Sequence, residues 1–289
     1  MNIPLWCTTI IAGLALFAGS EVSGTTIDGT NYLAYGANLG WMDWRGDTNN
    51  GVVMGEYVCS GYIYAANVGW INLGNGSPVN QIQYQNNSPN DFGVNLDGLG
   101  NLRGYAWGAN IGWINFENTG APRVNLLTGR FSGSIWSANC GWISLSNATA
   151  VVQTDAIQKG TLDRLGLPVA WELTYFGHTG VDPAADPDGD GISNLQEYLA
   201  GTDPNDPSSK FVITSQSFTA GGTSASLTWS SVNTRYYDLQ KSLTLSSNVW
   251  VDSGLGRITS TGSVTSGSFA DTNAVMRFYR VQSVRPLTP

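Results

Sequence analysis

Twelve residues, DPDGDGISNLQE from Asp186 to Glu197, bring together the densest set of chemically capable side chains in the sequence. They satisfy the pattern D-x-[DN]-x-[DN]-G-x5-E in full. A hard divalent cation such as Ca²⁺ takes about six to eight oxygen ligands, so a loop that binds it must gather several carboxylates. Asp186, Asp188 and Asp190 would supply them at the first, third and fifth positions. Gly191 permits the sharp turn at the sixth, and Ile192 would offer its backbone carbonyl at the seventh. Asn194 would act through a water, and Glu197 would close the site with both oxygens. A little further on, Asp203 and Asp206 in GTDPNDP offer carboxylates for a second, incomplete metal site.

The elements that must hold this loop are short. An exit helix follows, with Leu195, Tyr198 and Leu199 on one side and Gly201 just past its end. Ahead, LPVAWELTYFG predicts a second helix, opened by Pro168 and carrying Trp171 and Tyr175 one turn apart. Gly177, Gly180 and Pro183 separate that helix from the loop, so the arrangement is not a regular helix–loop–helix. The stretch AWELTYFGHTGVDPAADPDGDGISNLQEYLAGTDPNDPSS resembles the calcium-loop linker of many secreted bacterial proteins. That linker is similar to thrombospondin type 3 repeats and dockerin loops. Over residues 168–209 the resemblance implies a calcium-ordered spacer between extracellular β modules, and the whole connecting region is read as 154–209.

Charge is placed to match. Residues 21–154 carry −4, residues 155–206 carry −8 and residues 207–289 carry +4, against a net −8 for the chain. Acid concentrated in one segment suits a cation. An acidic protein of this kind lacks the electrostatic footprint of a nucleic-acid binder.

Residues 21–153 repeat one phrase four times: NYLAYGANLGWMDW, GYIYAANVGWINL, GYAWGANIGWINF and GSIWSANCGWISL. Its tryptophans are Trp41, Trp70, Trp113 and Trp142, at intervals of 29, 43 and 29 residues. The Ala-Asn-x-Gly core reads as a tight reversal, since Asn and Gly tolerate positive φ, so four β-hairpin units are expected. With period two, Met42/Trp44, Ile71/Leu73, Ile114/Phe116 and Ile143/Leu145 share one face with Ala34, Ile63, Ala106 and Ile135, and that face must be buried. The other face carries the four tryptophans and, before each turn, Tyr35, Tyr64, Trp107 and Trp136. Rows of such rings flanked by Asn and Asp can stack sugars. A second layer or a curled sheet would instead bury them, and their recurrence in every copy favours that packing reading.

The first twenty residues lack Lys, Arg, Asp and Glu, and the apolar run Leu5–Phe17 suits a signal peptide over 1–20. No later segment reads as membrane-spanning. Cleavage would leave Cys59 and Cys140, able to form a disulfide or to stay as two buried thiols. Residues 210–289 alternate apolar and polar positions through five to seven short strands, which predicts a β-sandwich. The region is similar to the fibronectin-III-like domains that follow such linkers, with Trp229, Tyr237, Trp250 and Tyr279 expected as core and Arg277 and Arg280 expected to face solvent or, as the alternative, a partner.

The single histidine, His178, has no partner for a triad or a metal centre in the sequence. Asp43, Glu56, Asp91, Asp97 and Glu117 stand in no recognisable catalytic pattern. The fold class expected is mainly β, comprising a repeat domain of four hairpin units, a short helical calcium-binding linker and a β-sandwich. The function expected is a secreted or cell-surface, non-enzymatic calcium-binding protein of structure or adhesion, partnered by extracellular matrix, a surface glycan or another surface protein. A carbohydrate-binding protein using the Trp/Tyr face is the alternative, and an accessory part of a polysaccharide hydrolase the third.

Overall fold

The computed structural model describes residues 24–47, 49–219, 224–245, 249–271 and 278–288. The proposed signal peptide and Arg277 lie outside these. The protein is mainly β and divides into two compact units, the second spanning Ala184–Arg285. Strands of the first unit are β1 (Ile27–Gly36), β2 (Gly40–Asp43), β3 (Val53–Met54), β4 (Cys59–Ala65), β5 (Gly69–Asn75), β6 (Val94–Leu96), β7 (Leu102–Gly108), β8 (Gly112–Asn115), β9 (Arg123–Val124), β10 (Phe131–Ser132), β11 (Ser134–Ser137), β12 (Gly141–Ser144) and β13 (Val152–Thr154). Helix α1 (Val169–Tyr175) follows them. The second unit holds α2 (Asn194–Ala200), β14 (Ile213–Phe218), β15 (Ser224–Ser230), β16 (Tyr236–Ser242), β17 (Val251–Thr259), β18 (Val264–Ala270) and β19 (Phe278–Val284).

Eight strands of the first unit close into an antiparallel barrel in the order β12-β11-β8-β7-β5-β4-β2-β1. The ring is completed by β1 pairing with β12 at Tyr35↔Ser144 and Gly36↔Ile143. Its interior is filled by side chains, as the diameter of eight strands requires. Ala34, Ile63, Ala106 and Ile135 form one row. Met42, Ile71, Ile114 and Ile143 form the next, then Trp44, Leu73, Phe116 and Leu145, each 1% exposed or less. The Trp44 ring meets Phe131 edge-on at 5.2 Å and Phe116 at 6.4 Å. Burying one such aliphatic or aromatic side chain contributes about 1.5–3 kcal/mol, so this interior dominates the stability of the unit.

The strand pairs β1/β2, β4/β5, β7/β8 and β11/β12 turn at the Ala-Asn-x-Gly sites. In each, the N–H of residue x donates to the carbonyl three residues back: Leu39 to Gly36, Val68 to Ala65, Ile111 to Gly108 and Cys140 to Ser137, at 3.1–3.3 Å. The next residue is a glycine with φ between 71° and 81° (Gly40, Gly69, Gly112, Gly141). This is a three-residue connection followed by a left-handed residue, a conformation that glycine adopts without the strain a Cβ brings.

The four asparagines do more than turn the chain. Asn67 Nδ2 donates to Leu39 O, Asn110 to Val68 O, Asn139 to Ile111 O and Asn38 to Cys140 O, each at 3.0 Å. Every turn is thus tied to the turn of the neighbouring strand pair, and the fourth link returns to the first. Leu39, Ile111 and Cys140 are buried beneath this ring, with Val68 packed against the same core.

In the second unit, β14-β15-β18 and β17-β16-β19 form two antiparallel sheets. Their shared core contains Ala225, Leu227, Trp229, Tyr237, Leu239, Phe269 and Val281. Trp229 and Tyr237 are buried, with ring centroids 5.7 Å apart. Trp250 and Tyr279 are only half-buried, and Arg280 does not face solvent freely. Its guanidinium lies 4.5 Å over the Trp250 ring and its Nε donates to Gln240 Oε1. Covering an indole with a guanidinium keeps the charge wet while shielding the ring.

Candidate cation centre and aromatic belt

The acidic loop is built by its own backbone. Asp186 accepts from Gly189 N at 2.9 Å and Gly191 N at 2.8 Å, Asp188 from Asp190 N at 3.1 Å, and Asp190 from Ile192 N at 2.8 Å. Gly189 and Gly191 take φ of 76° and 93°. Both Asp186 oxygens accept in these turns, whereas Asp188 Oδ2 and Asp190 Oδ2 are buried without a partner, and ligand atoms of Asp186, Asp188 and Asp190 lie within 4.8 Å of one another, close enough to hold a metal ion.

The metal-spaced cluster comprises these three aspartates and not Glu197, which helix α2 carries within range of the Asp188 and Asp190 charges. The helix starts at a capping box, where the Ser193 N–H donates to Gln196 Oε1 and the Ser193 side chain caps the backbone of residue 196. Asn194 is buried at its first position and its N–H donates to Ala185 O at 2.8 Å. One turn on, Glu197 is 1% exposed. Thr202 Oγ1 donates to its Oε1 at 2.6 Å, while its Oε2, like Asp188 Oδ2 and Asp190 Oδ2, is buried without a hydrogen bond. Buried oxygens left unpaired are costly. Burial pushes the Glu197 carboxyl up to about 7, and the charges of Asp190, Asp188 and Asp203 push in the same direction. Asp188 is also raised, by desolvation and then by its acidic neighbours. Asp186 is lowered, chiefly by the Gly191 N–H. The centre is a set of carboxylates that repel one another and form no ion pair among the described residues.

Asp203 and Asp206 instead cap their own turns. Asp203 accepts from Asn205 N at 3.0 Å and Asp206 from the Ser208 N–H and hydroxyl at 2.9 and 2.7 Å. Among the described residues they join no metal-spaced cluster.

The far end of α2 is gripped by an arginine that sequence reasoning did not single out. Arg235, 7% exposed, donates from Nη2 to Tyr198 O at 2.6 Å and from Nε to Leu199 O at 2.9 Å. A cation on the last carbonyls of a helix suits both their unmet hydrogen bonds and the helix dipole. The helix that carries Glu197 is thereby fastened to the loop before β16. Its sequence signal is faint, a lone arginine in a Ser/Thr/Asn turn. Glu172 in α1 was missed as well. It is fully buried and its Oε1 accepts from Gly180 N at 2.9 Å and Val181 N at 2.8 Å. His178 is exposed.

The repeated aromatics are not buried by a second layer, contrary to the packing reading. The barrel interior is already full, so its other face turns outward. Trp41, Trp70, Trp113 and Trp142 are 44–48% exposed, and Tyr35, Tyr64, Trp107 and Trp136 are 38–40% exposed. Each tryptophan faces its partner directly across the strands, with centroids 5.2, 5.0, 4.7 and 5.0 Å apart in tilted or edge-on contact, a favoured geometry for ring pairs. Around the barrel the register sets a polar side chain beside each pair: Asp43 by Tyr64, Asn72 by Trp107, Asn115 by Trp136 and Ser144 by Tyr35.

Cys59 and Cys140 are free, buried thiols and form no disulfide. Burial pushes the Cys59 thiol up to about 12, which makes it a poor nucleophile. Among the described residues no helix is long and apolar enough to cross a membrane. No family model, curated protein or solved structure matches the chain.

Proposed function

We propose that the chain belongs to a secreted or cell-surface, non-enzymatic protein in which a module of four hairpin units is followed by a calcium-ordered segment and then by a fibronectin-III-like β-sandwich. Its role is structural or adhesive. The observation that carries this reading is the metal-spaced trio Asp186, Asp188 and Asp190, together with the buried, unbonded oxygens of Asp188, Asp190 and Glu197. An all-oxygen, carboxylate-rich set suits Ca²⁺ over softer metals. Extracellular modules of this kind bind at roughly 10⁻⁴–10⁻³ M, where calcium stiffens a segment permanently and does not signal. Calorimetric titration of the chelated protein with CaCl₂ tests it. Saturable binding that raises the melting temperature supports the reading, and no heat with no shift in melting refutes it.

The outward-facing rings favour a second reading, carbohydrate binding through the Trp/Tyr face. Quenching or enhancement of tryptophan emission by soluble glycans tests it, and an unchanged spectrum with every glycan would remove it.

A further inference from the structure

We infer that the aromatic belt is a four-sided surface for uncharged polysaccharide, able to engage several chains at once and so to cross-link them. The inference rests on the carbohydrate reading and goes beyond it in ligand charge and valency.

Charge decides the class of ligand. The belt runs Ser144–Tyr35–Trp41, Asp43–Tyr64–Trp70, Asn72–Trp107–Trp113 and Asn115–Trp136–Trp142, and returns to Ser144 through the closing pair of strands. It contains no Lys or Arg and one acid, Asp43. An anionic glycan, a nucleic acid or an acidic membrane would find no counter-charge there. Alternation argues against an aliphatic partner. Around the circumference each ring pair is separated from the next by an amide, carboxylate or hydroxyl, and the further side chains that touch it, Tyr62 at Trp70 and Phe92 and Tyr105 at Trp113, are rings, so the belt is not the aliphatic patch that seats lipid or a protein core. A ring face with a hydrogen-bonding group beside it matches a pyranose, which has one apolar C–H face and an equatorial rim of hydroxyls.

Geometry decides valency. The barrel is closed, so its four pairs look outward in different directions, and at each crossing between strand pairs the register steps by two residues, from Trp41 to Asp43 and from Trp70 to Asn72. A flat, rigid surface can touch only one or two pairs. Separate flexible chains can each occupy one. Weak single contacts then add up by avidity of the order of 10²–10⁴.

The test uses the full chain. Affinity electrophoresis in gels containing hydroxyethyl cellulose, xyloglucan or galactomannan is compared with gels containing alginate and with flotation on phosphatidylcholine vesicles. Mixing with the retarding polysaccharide is then followed by light scattering. Expected are retardation by at least one neutral polymer, none by alginate, no co-flotation, and a scattering maximum at an intermediate protein-to-polymer ratio. Trp41→Ala alone should weaken retardation less than about threefold, whereas changing all four tryptophans should weaken it more than about tenfold. Since the quadruple variant can lose its fold, the polar neighbours are changed as well: Asn72→Asp with Asn115→Asp keeps the oxygens that accept from Gly74 N and Glu117 N, as Asp43 does for Arg45 N, but removes the amide donors, and should reduce retardation while melting changes little. Retardation without any scattering maximum overturns the cross-linking inference and leaves the carbohydrate reading standing. Retardation by alginate or flotation with vesicles overturns the choice of ligand, and no retardation by any neutral polymer sinks both.

Discussion

In metal-free protein, raising the pH from about 5 to about 8 should destabilise the Ala184–Arg285 unit. Glu197 moves from an ordinary 4.5 to about 7 in the folded chain, mainly by burial. A difference of that size corresponds to about 3 kcal/mol. The folded state holds the proton more tightly than the unfolded one, so this contribution is complete below pH ~4.5 and is lost as pH rises through ~7. Calcium should reverse the penalty at high pH by replacing the proton. With about 10 mM CaCl₂ and a dissociation constant of 10⁻⁴–10⁻³ M, mass action gives about 1.4–2.7 kcal/mol. At pH 5 proton and cation compete, and the gain should shrink. Urea unfolding of wild type and Glu197→Gln, each in chelator and in calcium at both pH values, measures these differences directly. The variant cannot ionise, so its stability in chelator should change less with pH, and its response to calcium should fall. Equal stability of chelated wild type at the two pH values, or an undiminished calcium response in Glu197→Gln, would refute the reasoning.

Three further outcomes are expected. Arg235→Ala removes two charge-assisted hydrogen bonds to Tyr198 O and Leu199 O and should cost about 1.5–3 kcal/mol while weakening calcium binding in the same titration, because α2 is less firmly placed; unchanged calcium affinity would show that the grip does not reach Glu197. Asn67→Ala breaks one link of the amide ring and should cost about 1 kcal/mol, with Asn67→Asp costing more because a carboxylate would face the Leu39 carbonyl; denaturant melts of the two variants give the ranking, and Asp more stable than Ala contradicts it. Cys59 should resist a thiol reagent at pH 8 in native protein and react fully in urea, read by mass mapping of the labelled peptide, since its thiol is buried and pushed up to about 12; native-state labelling at the unfolded rate would disprove the burial.

The acidic loop was legible because its chemistry is local. Six positions within twelve residues, three of them adjacent to glycines, specify both the turns and the carboxylate cluster. The barrel interior was legible for a related reason, since Ala34 with Met42 and Trp44, and their counterparts, alternate with a strict period of two. Which way the other face points was not. The outward placement of Trp41 and Trp142 depends on β1 meeting β12 at Tyr35↔Ser144, a pairing more than a hundred residues apart that no local pattern encodes. The asparagines were read correctly as turn residues and incompletely as partners. Their side chains bond a carbonyl in another strand pair, and the one hint was the same amide at every turn where glycine or aspartate would also have turned the chain. Arg235 was invisible for the same reason: its two acceptors lie 37 and 36 residues earlier.

A circle of amide links has no loose end, and that fixes how this module can vary. In an open stack, duplicating or deleting one copy merely lengthens or shortens the array. Here the Asn38 bond to Cys140 O and the β1–β12 seam leave no place to insert a fifth strand pair or to drop one without breaking both closures. Variation is confined to the loops between pairs, such as the polar stretch between β5 and β6, which can grow while the circumference stays constant.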